Sequence, residues 1–269
     1  MIKIDYSVIY VNYNQGQKLE ESINDWLILP ELLIPKEIII IDDGSNIPPV
    51  SKGIVRVISL KHTCHMAYLS NLGVDECKTD WFIYWDAGRQ LTVEYITLQL
   101  HLKNELELNI PLEVNLRERG SLINKFAPSN CKVEITDSEF LPTGISMMNK
   151  KTFLYYNEVY DDGIGRHDMD YNYRWLLMGR KIYHCTSMVL IHINHERGYQ
   201  TRLLVSRNEY VYQIMRPLYK QHNITDLRNC RLLGIGEENE KRWREQLLPT
   251  LQANPAAYIT VTHKSNSAS

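Results

Sequence analysis

The chain has 269 residues, 44% hydrophobic and 23% charged, a composition that forms a hydrophobic core without metal or disulfide staples. Its formal net charge of -2 gives no global positive field and disfavours nucleic acid as a partner. Five scattered cysteines, none spaced as Cys-x-x-Cys, exclude a recognisable zinc or disulfide framework and fit a reducing compartment. The opening MIKIDYSVIYVNYN has no signal-peptide character, and no run approaches the ~18 apolar residues of a membrane span. A soluble, cytoplasmic protein is the expectation.

The first apolar run, Ser7 to Val11, reads as a buried strand and ends in the turn-rich Asn12-Tyr13-Asn14-Gln15-Gly16. Lys18 to Leu29 places Leu19, Ile23, Trp26 and Leu27 at helical spacing, and Pro30 closes that helix. Glu37-Ile38-Ile39-Ile40-Ile41 is apolar on both faces, as a central parallel strand should be, and stops at the turn Asp42-Asp43-Gly44-Ser45. A strand over Ile54 to Leu60, a helix from Met66 to Cys77 and a strand from Trp81 to Trp85 follow, the last ending at Asp86. Alternating strands and helices predict an open parallel sheet with right-handed crossovers. Ligands bind such sheets beyond the carboxyl ends of the strands, where Asn12–Asn14, Asp42–Asp43 and Asp86 all fall.

The second half is less regular. Residues 92–109 read as helix, Val114 to Leu116 as strand, and a loop with Gly120, Pro128 and Pro142 leads to a strand over Gly144–Met148. Asp168 to Met178 reads as a helix and 182–193 as a last strand. From 205 to 248 the pattern is helical, broken near Pro217 and at Gly234/Gly236, and the tail from His263 to Ser269 is polar and expected to be disordered.

Several of these segments resemble, in order, those of the family 2 glycosyltransferases. SVIYVNYN is similar to the family's opening strand and Tyr-Asn turn, and KEIIIIDDGSN to its second strand with terminal DDGS. AYLSNLG stands for the Ala-rich helix ending in Asn-x-Gly, and WFIYWDAGRQLTVEYI for the strand that delivers Asp-x-Asp. GIGRHDMDYNYRWLLMGRKIYHC resembles the acceptor-side segment with its Glu-Asp pair. The resemblance covers about residues 6–195 and implies a GT-A (Rossmann-like) α/β fold with a mostly parallel sheet flanked by helices. The expected organisation is a GT-A domain over 1–195, a helical C-terminal extension over 196–262 and the tail 263–269.

What the resemblance implies for chemistry is an inverting transfer of sugar from a nucleotide-sugar donor, most commonly a UDP-sugar, to an acceptor hydroxyl. The usual setting is surface polysaccharide or glycolipid assembly, so the acceptor is expected to be a glycan, a glycolipid or another hydroxyl compound. Tyr13, Asn14, Asp42 and Asp43 are the implied nucleotide contacts, although an Asp-Asp-Gly-Ser turn is equally able simply to end a strand. Asp86 is the implied ligand of Mn²⁺ or Mg²⁺, which would stabilise the leaving diphosphate. Here the motif reads Asp86-Ala87-Gly88, so its second acid is missing. Two arrangements stay open: Asp86 holds the ion with His192 or His195, or Arg89 neutralises the phosphates through a bidentate fork. His65 and Ser70 stand where the family commonly has Gly and Arg, so a further donor contact has been lost or moved.

Asp168 inherits the role of general base from the Glu-Asp pair, which reads His167-Asp168 here, with Asp170 as the backup. A helix N-terminus favours the ionised carboxylate that a base needs, but the same position suits a simple N-cap. Asp161, Asp162 and His167 are the remaining acceptor-side candidates, or else solvated turn residues. The C-terminal segment interleaves Arg197, Arg202, Arg207, Arg216, Arg228 and Arg231 with Tyr199, Tyr210, Tyr212 and Tyr219. It would suit a charged acceptor, a peripheral membrane contact or an oligomer interface, while Glu237, Glu238 and Glu240 favour a solvated helical face. A degenerate, non-catalytic nucleotide-sugar binder or assembly subunit is the rival reading.

Overall fold

The computed structural model describes residues 4–63, 65–116, 133–136, 143–160, 166–193, 199–221 and 227–253. Asp161, Asp162, His195 and the tail from 263 lie outside the described residues.

The first half alternates strand and helix: β1 (Tyr6–Asn12), α1 (Gln17–Leu27), β2 (Glu37–Asp42), β3 (Val55–Ser59), α2 (Met66–Glu76) and β4 (Trp81–Tyr84). These strands form a sheet in the order β3-β2-β1-β4, all parallel, with β8 (Met147–Asn149) added antiparallel beside β4. β2 is buried at every position and β1 at all but Val11, as a sheet covered on both faces requires. Gly73 lets α2 lie flush on the sheet, because a Cβ there would come within 2.4 Å of Ile9 Cγ2. The mostly parallel α/β architecture expected from the sequence is the one observed.

A second sheet sits past β4. It comprises β5 (Arg89–Gln90), β6 (Glu107–Leu116), β7 (Val133–Thr136) and β9 (Lys181–Ile193), with α3 (Val93–Leu102) between β5 and β6 and α4 (His167–Leu177) before β9. β9 runs parallel to β6 along its length and antiparallel to β5 and β7. The expected helix over 92–109 therefore stops early. Lys103 leaves helical geometry at φ -56°, ψ 129°, and residues from Glu107 onward pair with β9 instead. The expected strand over Gly144–Met148 is shorter too, since Thr143–Ile145 forms a 3₁₀ turn before β8.

The C-terminal part consists of α5 (Tyr199–Gln221), a 3₁₀ segment Leu227–Leu232, and α6 (Glu237–Arg242) running through a π turn into α7 (Leu248–Ala253). Contrary to the expected break, α5 continues through Pro217. An internal proline costs about 3 kcal/mol, and the burial of Val211, Tyr212, Met215 and Tyr219 at ~1.5–3 kcal/mol each exceeds that. Those side chains pack with Tyr160, Met169 and Tyr173 in a second core beneath α4.

Arg174 ties this core together. It is fully buried and donates to Asp170 Oδ2 at 2.8 Å, to the carbonyls of Leu154 and Leu227 at 3.1 and 3.2 Å, and to that of Tyr155 at 2.9 Å. Tyr160 Oη donates to Asp170 Oδ1 at 2.9 Å. Removing one member of a buried ion pair leaves the other uncompensated, at a cost of about 3–5 kcal/mol. Asp170→Ala is therefore expected to lower the unfolding free energy in urea by about that amount, with Asp170→Leu/Arg174→Met recovering most of it.

Candidate donor and acceptor site

The carboxyl ends of β1, β2 and β4 meet at one edge of the sheet. Asn12 pairs with Asp42 in register, and its Nδ2 donates to Asp42 Oδ1 at 2.6 Å. Ser45 Oγ donates to the same oxygen at 2.6 Å, and Ser45 N donates to Oδ2 at 3.2 Å. Asn14 adds a second bridge between the two turns: its N–H donates to Ser45 Oγ, and its Oδ1 accepts from Asn46 N, both at 2.8 Å. Asp42 and Asn14, both expected to contact nucleotide, thus hold the two turns together. Asp42 is 1% exposed, and its oxygens meet the demand of a buried carboxylate for donors.

Asp43 is buried as well. Its Oδ1 accepts from Thr63 N at 2.7 Å and Thr63 Oγ1 at 2.9 Å, and His62 Nδ1 lies 2.9 Å from Oδ2. His62 in turn stacks on the half-exposed Tyr13, with ring centroids 4.2 Å apart at 18°. The sequence points to Tyr13 and Asp43 but not to the histidine that joins them. Gly44 makes the approach feasible: its φ is +76°, and a Cβ there would lie 2.7 Å from His62 N.

Asp86 follows β4, and its Oδ1 accepts from Gly88 N at 2.8 Å. β5 is two residues long, and its pairing with β9 sets Arg89 directly opposite His192. His192 Nε2 lies 3.6 Å from Asp86 Oδ2, an ion-pair rather than a hydrogen-bond separation. Burial opposes the charged carboxylate. The His192 ring, the Arg89 guanidinium and the Gly88 N–H outweigh it and hold Asp86 well below the usual carboxylate range. Asp86, Arg89 and His192 are therefore brought together. A fourth group, which the sequence reading missed, completes the cradle. A Cβ on Gly88 would lie 3.1 Å from Lys18 Nζ, 3.3 Å from Asp86 Oδ1 and 3.3 Å from His192 Cδ2.

These residues do not fit a divalent ion well. Mg²⁺ and Mn²⁺ seek several oxygen ligands, and the cradle offers one carboxylate beside the full positive charges of Lys18 and Arg89. No group of three or more His, Cys, Asp or Glu side chains among the described residues is arranged to hold a metal.

Asp168 is the second residue of α4, after the N-cap position Arg166, so it is not the simple cap that its sequence context allowed. It is partly exposed, with His167 Nε2 3.8 Å from its Oδ1. The His167 ring meets Tyr156 at 5.3 Å, and Tyr156 meets Tyr84 of β4 at 5.7 Å, which connects the start of α4 to the β4 edge. Asn71 of α2 clamps the same Tyr156 through its backbone, donating to O and accepting from N, both at 2.8 Å. Asp170, the backup base, is fully buried against Arg174 and Tyr160 and is removed from candidacy. Elsewhere, a surface cavity at the opposite, amino edge of the sheet is lined by Asp5, Lys36, Glu37, Arg56 and Lys78. Ion pairs Lys36–Asp5 and Arg56–Glu37, at 3.7 and 3.5 Å, engage four of those charges.

The fold shares the architecture of GT-A glycosyltransferases. Residues 7–110, from β1 into β6, match the family model Glycosyl transferase family 2. Among solved structures, GalNAc-T7 with UDP, GalNAc and Mn²⁺ superposes with a TM-score of 0.60 at 14% identity, over 93% of this chain and 57% of that one. The chain thus spans little more than half the length of GalNAc-T7. TarS 1–349 of S. aureus superposes with a TM-score of 0.54 at 13% identity, covering 93% of this chain and 77% of that one. Its complex with UDP-GlcNAc gives 0.55 at 11% identity, over 89% and 78%. No curated protein matches by sequence.

The Gly44 geometry is directly testable. Gly44→Ala is expected to lose at least about 1–2 kcal/mol from the left-handed φ alone, plus a backbone clash. Gly16→Ala, at φ +50° with nothing within 4 Å, carries the φ cost without the clash. Thermal unfolding should therefore rank Gly44→Ala clearly below Gly16→Ala.

Proposed function

We propose that the chain transfers a sugar from a nucleoside-diphosphate sugar, a UDP-sugar in the first instance, to an acceptor hydroxyl by a single inverting displacement. The observation that carries this reading is the cluster of Asp86, Arg89, His192 and Lys18 at the carboxyl edge of the sheet, beside the Tyr13–His62–Asp43 stack. The stack offers an aromatic face and polar edges for a base, and the cluster offers cations for a diphosphate. The UDP complexes of GalNAc-T7 and TarS favour uridine as the base.

In this reading Asp168 accepts the proton of the acceptor hydroxyl. The freed oxygen lone pair forms the bond to the anomeric carbon while the carbon–oxygen bond to the β-phosphate breaks. That electron pair leaves on the phosphate oxygen as the nucleoside diphosphate. Asp168 lies in the first turn of α4, and the Asp170–Arg174 anchor keeps that turn in place. Residues 1–195 act as the transferase domain, and the helices beyond brace α4 from below. The acceptor belongs to the glycan or glycolipid class, and no described helix is long and apolar enough to cross a membrane toward it.

The rival is a nucleotide-sugar binder without turnover, favoured by Gly88 in place of an acid. Asp168→Asn separates the two. It is expected to lower kcat for UDP release by roughly 10²–10⁴-fold with UDP affinity unchanged. A variant as active as the parent would move the base elsewhere, and a parent with no turnover on any donor and acceptor tried would favour the binder.

A further inference from the structure

Gly88 occupies the position where the Asp-x-Asp pattern has its second acid, and its backbone does not require glycine. Its φ lies outside the left-handed region, so any residue is conformationally admissible. What stands in the way of a side chain is Lys18: its Nζ would be 3.1 Å from the added Cβ, on the same small volume that Asp86 Oδ1 and His192 Cδ2 border at 3.3 Å. Lys18 is the second residue of α1, where the helix dipole disfavours a cation. Among the described residues its ammonium has no ion-pair partner. Among the described residues, this small region brings the cations of Lys18 and Arg89 to the one carboxylate of Asp86.

We infer that Lys18 and Arg89 form a two-cation clamp for the donor diphosphate, so that the positive charge comes from side chains where Asp-x-Asp sites recruit a divalent ion. This rests on the nucleotide-sugar reading above. A diphosphate has several oxygens to satisfy. An arginine fork can supply two parallel donors and a lysine ammonium three more. Asp86 is then a positioning residue. It holds the His192–Arg89 side of the clamp, and the Gly88 N–H fixes its own carboxylate. Gly88 is small because the ammonium and the incoming phosphate share its space.

Calorimetric titration of UDP, with GDP and dTDP in parallel, into the full chain in EDTA and in MnCl₂ tests the inference. The expected result is nucleotide binding of the same strength in both. Lys18→Met should weaken it by roughly tenfold or more, since charge-assisted hydrogen bonds are the strong class, and Lys18→Arg should restore most of the loss. Unchanged thermal unfolding of the two variants would show that the fold is intact. Gly88→Asp/Lys18→Met, which rebuilds the second acid and removes the cation, should bind nucleotide only with Mn²⁺. Binding that requires Mn²⁺ in the parent, with Lys18→Met indistinguishable from it, would overturn the clamp and leave the nucleotide-sugar reading standing. Absence of binding by all three nucleotides in both buffers would overturn both.

Discussion

The crevice is built outward from the buried carboxylate of Asp42. A fully parallel sheet leaves the carbonyls and side chains of its strand ends exposed in a row, with nothing in the sheet itself to fix the loops that follow. Asp42 supplies that fixing by collecting donors from Asn12 and from both Ser45 N and Oγ, joining the end of β1 to the turn after β2. Asn14 then locks its own turn onto Ser45 and Asn46. Only with these two turns fixed can Tyr13 lie over His62, because the partners come from segments separated by two strands and a helix. Buried polar atoms thereby become a template for exposed ones.

An analogous division of labour holds on the acceptor side. Asp168 and Asp170 are two residues apart, yet one is partly exposed and the other is sealed against Arg174. Helical geometry puts residues at that spacing on different faces of α4, and the Arg174 one turn beyond Asp170 determines which face is inward. Arg174 reaches carbonyls of Leu154, Tyr155 and Leu227, so the helix, the segment before it and the C-terminal 3₁₀ turn share a single cation. The helices beyond β9 are therefore part of what holds the start of α4. Among the described residues, three arginines of this part are engaged within the chain: Arg207 on the Val159 carbonyl and Glu240, Arg216 against the rings of Tyr173 and Tyr212, and Arg231 on Glu158 and Asp75. That pattern suits bracing better than the capture of an anionic partner.

How much of this was legible depended on the range of the signal. β2 was plain because its four consecutive isoleucines, Ile38–Ile41, suit a strand buried on both faces, and Gly44 was plain because a turn with φ near +76° wants glycine. The end of α3 and the run of β6 were not. Residues 103–109 mix polar and apolar positions without a clear period, and β6 is defined by a partner strand more than 70 residues later. Pro217 misled for a similar reason, since local propensity marks a break that tertiary packing overrides. At the site, sequence order pointed to the acids and could not show that Asp42 is held by Asn12 and Ser45, or that Asp170 is paired with Arg174 and Tyr160. Lys18 left no signal at all. A lysine in the first turn of an amphipathic helix is the commonest of surface residues until β4, β5 and β9 are assembled around it.

The charge in the Asp86 cradle follows from one small residue. Were Gly88 an acid, its carboxylate would pair with Lys18 or with a divalent ion, and the lysine would then be neutralised or redundant. With glycine, Asp86 is the carboxylate among the described residues that borders this volume with Lys18 and His192. A leaving group that gains negative charge as its bond to sugar breaks is stabilised most by positive charge already fixed in place, since no reorganisation is then needed during the reaction. β5 makes such fixing available for Arg89, because its two-residue pairing with β9 holds the guanidinium-bearing strand and the His192 strand in register. α1 does the same for Lys18, packed on the core through Leu19, Ile23 and Trp26. In the clamp proposed above, the missing carboxylate of the metal motif goes with cations carried by the chain in place of a recruited ion.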